Sequence, residues 1–329
     1  MNQTDKFGRC QFHASDGTYC NEVDMGNGYC FWHDPNFDKT GMELADKLER
    51  YAKSGGITQG LQLKKANLSG INLVNRGSTA GFDFSGSDFY RANLSGSHLF
   101  NIKLNNGSLM KANLSDANLH CAKLLGTNLL GVKLHNAKID NIELGKELQQ
   151  EVLAHKAESK KDRTAALDNF EQAEEIYRDV RKAAENQGLF ELAGHCIHKE
   201  LTMRRKRMPL FSGRRIFSKI VDLFCGYGER PLNVILFSLG LILACAFLYF
   251  SLGVNFAGEV IQFSSANSTS ENINAFFSTL YFSVVTFTTL GYGDITPLGL
   301  ARLVAAFEAF VGSFTIALFV VVFVKKMTR

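Results

Sequence analysis

Residues 275–294 read Ala275-Phe276-Phe277-Ser278-Thr279-Leu280-Tyr281-Phe282-Ser283-Val284-Val285-Thr286-Phe287-Thr288-Thr289-Leu290-Gly291-Tyr292-Gly293-Asp294. The first 13, Ala275–Phe287, form an apolar run too short to cross ~30 Å of hydrocarbon and better suited to a re-entrant helix. A glycine-punctuated string follows at once and closes on a carboxylate. Longer apolar segments flank this stretch. Leu232–Val254 carries no charge over 23 positions, and Leu303–Val324 carries only Glu308 over 22. Each exceeds the ~20 residues that a spanning helix needs. The order is therefore span, short helix, ordered loop, span.

Composition hides this organisation. The chain has 329 residues, 36 Lys/Arg, 32 Asp/Glu and 46% hydrophobic residues, values that fit an ordinary globular protein. They exclude a collagen-like chain, a disordered acidic chain and a disulfide-dense secreted module. Yet only eight charges lie in residues 231–329. Basic residues precede the first span (Arg204, Arg205, Lys206, Arg207, Arg214, Arg215, Lys219, Arg230) and follow the second (Lys325, Lys326, Arg329). Positive flanks stay inside, so both termini are expected in the cytoplasm. The seven cysteines then face a reducing compartment, which disfavours structural disulfides.

The string Thr288-Thr289-Leu290-Gly291-Tyr292-Gly293-Asp294 resembles the selectivity-filter signature of potassium channels, and residues 231–325 resemble the two-transmembrane members of that family. A permeating K+ sheds water and needs equivalent oxygen ligands, which backbone carbonyls supply when several copies surround one axis. Gly291 and Gly293 allow the left-handed backbone that such alignment requires. The resemblance implies a homotetramer in a lipid bilayer, with K+ held by carbonyls of Thr289, Leu290, Gly291 and Tyr292 and by the Thr289 hydroxyl. It also implies that Tyr292 braces the filter against the pore helix and that Asp294 stands at the outer mouth.

Three departures matter. Many relatives place a carboxylate behind the filter; the matching position is Val285, so Tyr281 is expected to bond Asp294 instead. Leu290 replaces the commoner valine. Glu308 reads either as a structural carboxyl bonded to Ser283 or Thr286 or as a cavity or gating residue. Gly312 matches the family's hinge glycine but equally suits a packing contact. Below it, Ile316, Phe319 or Val320, and Phe323 share a face that suits an apolar gate.

Upstream, a period of five governs residues 60–145. Leu63, Leu68 and Leu73 are followed, after a slip of one residue, by thirteen apolar positions in register from Phe84 to Leu144. Small residues such as Ala92, Ala112 and Ala117 lie two positions before. Neither helix nor strand spacing explains this repeat. It resembles the pentapeptide-repeat family, which implies a right-handed four-sided β-helix with four pentapeptides per coil. Asn75–Gly81 interrupts the repeat and reads as a bulge or projecting loop. Some relatives mimic DNA with an acidic surface. Residues 60–145 hold nine Lys/Arg against five Asp/Glu, so a scaffold for an unidentified cytoplasmic protein or ligand fits better and no nucleic-acid partner is expected.

Cys10, Cys20, Cys30 and His33, with His13 as an alternative ligand, suit a structural Zn2+. The other reading is free cysteines in a flexible arm. Met42–Ala52 reads as a capping helix. Residues 147–207 read as a helical hairpin ending in Arg204–Arg207, which either bind anionic lipid or anchor the topology from solvent. Ile216, Phe217, Ile220, Val221 and Phe224 share a face that suits an interfacial helix, with Ser218, Lys219 and Asp222 opposite. Only five residues follow Val324, so a gating signal is expected to enter from the N-terminal side.

The expected fold is thus a multi-domain membrane protein combining a β-helix, an α-helical hairpin and an all-α pore module. Its parts are a zinc segment (1–41), capping helix and linker (42–59), β-helix (60–145), hairpin (146–209), interfacial helix (210–230) and pore domain (231–329). The pore domain holds spans 232–254 and 301–324, pore helix 273–287 and filter 288–294. The expected activity is K+ conduction in a bacterial-type inner cell membrane. Rival readings are a poorly selective cation channel and a membrane-anchored scaffold with a vestigial pore. No nucleophile–base set or phosphate loop is present, so an enzyme is not expected.

Overall fold

The computed structural model describes residues 8–327 and divides the chain into two units, Met1–Leu210 and Phe211–Arg329.

In the first unit, parallel bridges join residues 20 apart: Asp88↔Ser108↔Asn128, Asn93↔Asn113↔Lys133, His98↔Asn118↔Lys138 and Asp83↔Lys103↔Lys123↔Glu143. Twenty residues are four pentapeptides, so each coil has four sides. The first coil pairs at a separation of 26 instead (Gln62↔Asp88, Asn67↔Asn93, Asn72↔His98). The difference is one pentapeptide plus one residue, extruded as an exposed loop at 76–80. That is the origin of the one-residue slip. Gly81 marks the re-entry, where a Cβ would lie 1.7 Å from the Asn101 carbonyl oxygen. The central Leu and Phe side chains fill the bore, and Leu63, Leu68, Phe84, Leu109 and Leu114 are at most 1% exposed. Leu134, near the C-terminal end, is only half-buried. One face carries an asparagine ladder: Asn93 donates to Asn67 Oδ1 at 2.9 Å and Asn113 to Asn93 Oδ1 at 3.2 Å.

The capping helix α1 runs Ala45–Lys53 and buries Leu48, Tyr51 and Ala52. At the other end the expected hairpin is three helices: α2 (Gln149–Ser159), α3 (Arg163–Asn186) and α4 (Phe190–Arg207). Helix α2 has no apolar period of its own, because its buried positions include Gln150 and Glu151, both 1% exposed. Gln150 donates to Asn128 Oδ1 at 2.8 Å, and Ile139 N donates to Gln187 Oε1 at 3.0 Å. Polar side chains thereby satisfy the solenoid's last edge.

Arg204–Arg207 take part in ion pairs that the sequence readings did not include. Arg204 pairs with Glu174 (3.0 Å) and Glu200 (3.2 Å), and Arg207 with Glu174 and Glu171 (2.8 Å each). Lys206 Nζ lies 2.9 Å from His155 Nε2, and Arg205 is 9% exposed. Burial works against ionisation of Glu174, but hydrogen bonds from Arg207 and Arg204 hold its carboxyl below its usual range. These basic groups are engaged within the helical cap, although Arg204 and Arg207 keep part of their side chains exposed.

In the second unit, α5 is Gly213–Cys225 and α6 is Pro231–Leu252. Strands β1 (Val254–Phe256) and β2 (Glu259–Ile261) precede α7 (Thr269–Phe287), and β3 (Ile295–Pro297) precedes α8 (Ala301–Met327). The first span ends two residues early because Gly253 turns to φ +88°. The short helix begins at Thr269 rather than 273, where Ser268 and Glu271 form a capping box. The second span continues three residues past Val324. The β2-β1-β3 antiparallel sheet was not foreseen from the sequence. Its signal was Ala257-Gly258, whose φ of +52° and +96° suit a tight hairpin. On α5, Ile216, Phe217, Ile220 and Leu223 stay exposed, whereas Val221 and Phe224 pack on Cys225, Val234 and Val322. Asp222 and Ser218 are also partly covered, and Ser218 Oγ meets Tyr227 OH at 2.7 Å, so the expected apolar face is split.

Because the loop is extruded without disturbing the ladders, deleting residues 75–80 should restore an unbroken period. The melting temperature of this variant should stay within about 3 °C of the parent by circular dichroism. A much larger loss would mean that the loop carries packing.

Candidate functional site

Helix α7 ends at Phe287, and the helix dipole puts partial negative charge at this C-terminal end. Thr288 Oγ1 donates to Val284 O at 2.7 Å, Thr289 N to Thr286 O at 3.1 Å and Leu290 N to Val285 O at 3.1 Å. From there the backbone alternates in hand. Thr289 (φ +57°), Gly291 (+59°) and Gly293 (+80°) are left-handed, and Leu290 and Tyr292 between them are not. Alternation of this kind lets successive carbonyls share one side of the chain. Sequence reasoning anticipated the two glycines but not Thr289. A β-branched residue in this region is strained and persists only where its surroundings impose it.

Tyr281 OH donates to Asp294 Oδ2 at 2.9 Å, spanning the loop from the helix behind it. Directly after Asp294, Ile295 pairs with Phe256 in the sheet, which ties the outer end of the loop to the end of α6. Val285 is buried, with no carboxylate in its place. Tyr292 is 68% exposed.

Glu308 on α8 is fully buried. Its Oε1 accepts from Ser283 Oγ on α7 at 2.5 Å and its Oε2 from Tyr249 OH on α6 at 2.6 Å. Ser283 Oγ also lies 2.8 Å from the Ile242 carbonyl oxygen. One carboxyl thus joins three helices. Ser283 was among the expected partners; Tyr249 and Ile242, distant in sequence, were not. Gly312 is where α8 crosses the end of α7: a Cβ there would lie 2.1 Å from Phe287 O. Helix α8 runs unbroken through it, which favours close packing over a bend. Below, Ile316, Val320 and Phe323 are exposed, while Phe319 packs toward Val322 and stacks on Phe323 at 5.6 Å.

In the N-terminal unit, Cys10, Cys20, Cys30 and His33 converge, with one donor atom from each lying within 4.8 Å of the others. His13 is not in this set; it pairs with Tyr19 in a short bridge. Burial pushes the Cys30 thiol up to about 12 and raises Cys20, and it pushes His33 down to about 4.

Comparison with known proteins agrees with this division. Residues 236–329 match the family described as Ion channel, and residues 78–106 and 108–144 match pentapeptide repeats in eight copies. Protein LctB of Bacillus caldotenax is 39% identical over 75 residues, which are 22% of this chain and 54% of LctB. The chain thus spans about half the length of that curated relative. HetL, a pentapeptide repeat protein from Nostoc sp. strain PCC 7120, is 26% identical over 26% of this chain and 38% of its own, with a TM-score of 0.24. Rfr23 from Cyanothece 51142 is 24% identical over 27% of this chain and 86% of its own, with a TM-score of 0.13. By the family models, residues 236–329 thus resemble an ion-channel domain and residues 78–144 a pentapeptide-repeat domain. Helices α6 and α8 are long and apolar enough to cross a bilayer, and together with the channel match they make it a membrane protein.

Three substitutions test the geometry. Gly312→Ala should force α8 away from α7 and cost about 1–3 kcal/mol, read as a lower melting temperature in detergent. Glu308→Ala should strip the Tyr249 and Ser283 hydroxyls of their acceptor and cost about 2–4 kcal/mol. Glu308→Gln, which keeps an acceptor oxygen, should lose much less.

Proposed function

We propose that the protein is a homotetrameric potassium-selective channel, with Thr288–Asp294 of each chain forming one quarter of a carbonyl-lined filter. The observation that carries this reading is the alternating backbone hand at Thr289, Gly291 and Gly293, directly beyond the C-terminal end of α7. Carbonyls aligned in this way replace the hydration shell of a K+ ion once four copies close around an axis. The helix dipole of α7 favours a cation at its C-terminal end. The Tyr281–Asp294 bond and the Glu308 tie support the loop from behind, in the place of the absent carboxylate at Val285. Ile316, Val320 and Phe323, exposed on one chain, meet their counterparts near the axis and form the apolar constriction, with Phe319 packed behind. The basic flanks of the spans place both termini in the cytoplasm of a bacterial-type inner membrane. The N-terminal Cys10/Cys20/Cys30/His33 cluster holds a structural Zn2+, and the repeat domain serves as a scaffold through which a cytoplasmic signal reaches the pore.

Planar-bilayer recording of the full-length protein tests the conduction reading. The reversal potential should follow the K+ gradient and ignore Na+, and Gly291→Ala should reduce K+ current by more than about tenfold while the tetramer persists. Reversal near zero under opposed K+ and Na+ would instead mean a poorly selective pore. No barium-sensitive K+ flux from intact tetramers would mean a scaffold.

A further inference from the structure

The first coil of a solenoid exposes an unpaired strand edge on each of its sides, which must be covered. Here every side has a different cover. Asn67 N donates to Met42 O at 3.0 Å, and Leu44 N to Asn67 O at 3.0 Å. Asn72 N donates to Glu49 Oε1 of α1 at 2.7 Å. Thr58 Oγ1 donates to Asp83 O at 2.6 Å. On the remaining side, Gln62 N donates to Trp32 O at 2.9 Å. Trp32 belongs to the N-terminal segment, whose described residues before α1 form no regular helix or long strand to hold its shape.

The four-residue run Cys30-Phe31-Trp32-His33 explains how that carbonyl is held. Trp32 lies between two members of the Cys3His cluster. Phe12, between Cys10 and His13, stacks on the His33 ring at 4.0 Å and 6°. The same Phe12 ring covers Gly60, where a Cβ would lie 2.3 Å from it. His33 itself reaches the coil's entry, since its Nε2 is 3.0 Å from Gln59 O. With Nε2–H donating to that carbonyl, Nδ1 keeps its lone pair for a metal. The residues that touch the first coil are therefore the ligand His33 and residues set among the ligands.

The cluster has the dimensions of a tetrahedral zinc site. With Zn–S near ~2.3 Å and Zn–N near ~2.0–2.1 Å, ligand atoms stand roughly 3.5–3.8 Å apart. Observed separations are 3.9 Å for Cys20 Sγ to Cys30 Sγ, 3.7 Å for Cys10 Sγ to His33 Nδ1 and 3.2 Å for Cys30 Sγ to His33 Nδ1. The three thiols are at most 3% exposed, so a bound dication would neutralise buried thiolates, with the buried Lys39 ammonium, which also interacts with Asp34, as a further positive charge near Cys30.

We infer that Zn2+ at Cys10, Cys20, Cys30 and His33 is the clasp that seats residues 9–34 on the open Gln62 side of the β-helix, so that metal occupancy controls whether this end of the solenoid is capped. This inference rests on the zinc reading above and assigns it a consequence. Without the metal, the Trp32 carbonyl and the His33–Gln59 bond lose the constraint that aims them, and the Gln62 edge opens.

The test uses the full-length protein in detergent. Elemental analysis should give one zinc per chain, and cobalt substitution should give the thiolate-to-cobalt charge-transfer band in the near ultraviolet. Hydrogen exchange followed by mass spectrometry then compares metal-loaded and chelated protein. Residues 57–66 and 30–36 should exchange at least about tenfold faster after chelation and recover on adding Zn2+, while residues 104–125 stay unchanged. Cys20→Ser should lose the metal; if that variant does not fold, the chelation comparison still decides. Failure of the purified protein to bind either metal overturns the zinc reading itself. Metal that binds and leaves exchange at 57–66 unaltered on removal preserves the zinc reading and overturns the clasp.

Discussion

Glu308 supplies the tie on which the membrane unit depends. Lipid exerts no hydrophobic force between apolar helices, so their association rests on close packing and on polar contacts. Glu308 accepts from Tyr249 of α6 and Ser283 of α7, and it sits four residues before Gly312, where α8 meets the end of α7. The two contacts are one helical turn apart on the same face of α8. Together they set where the C-terminus of α7 ends and hence where the left-handed backbone begins at Thr289. The sheet formed by β1, β2 and β3 holds the other end, immediately beyond Asp294.

The N-terminal unit answers a different constraint. A repeat that buries its own apolar residues still leaves backbone edges at both ends. At the C-terminal end Gln150 and Gln187 reach from helices to meet it, and the acid–base network of Glu174, Glu200, Arg204 and Arg207 locks α3 to α4. At the N-terminal end the covers are α1, a strand-like segment and the Cys3His segment. In the acid–base network the buried Glu174 holds its charge because hydrogen bonds from Arg207 and Arg204 outweigh its desolvation.

Much of this was legible in the residues. The five-residue period survived as the 20-residue coil because an inward Leu or Phe every fifth position has only one way to stay dry. The filter string and its place between spans were readable because glycine and carboxylate chemistry is local. The interruption at Asn75–Gly81 was visible, but its size was not; only the change of pairing from 20 to 26 shows that a whole pentapeptide and one residue leave the coil. Helix α2 was not separable within the helical stretch 147–207 because its buried positions include the polar Gln150 and Glu151, which give it no apolar period. The hairpin strands escaped because three-residue strands have no period to detect. The glutamate partners of Arg204 and Arg207 were not legible, because Glu171 and Glu174 lie about thirty residues away in the chain.

By itself the sequence determined where the chain meets lipid, which residues fill the β-helix and which loop carries the channel signature. These follow from hydropathy, spacing and backbone freedom, all properties of neighbouring residues. The tertiary structure alone decided which donors converge. It chose Cys10 over His13, brought Tyr249 to Glu308, put Thr289 into a left-handed conformation and turned Gly312 into a point of contact. Each of these joins residues far apart in the chain or imposes strain on one of them, and such choices are made only when the elements pack.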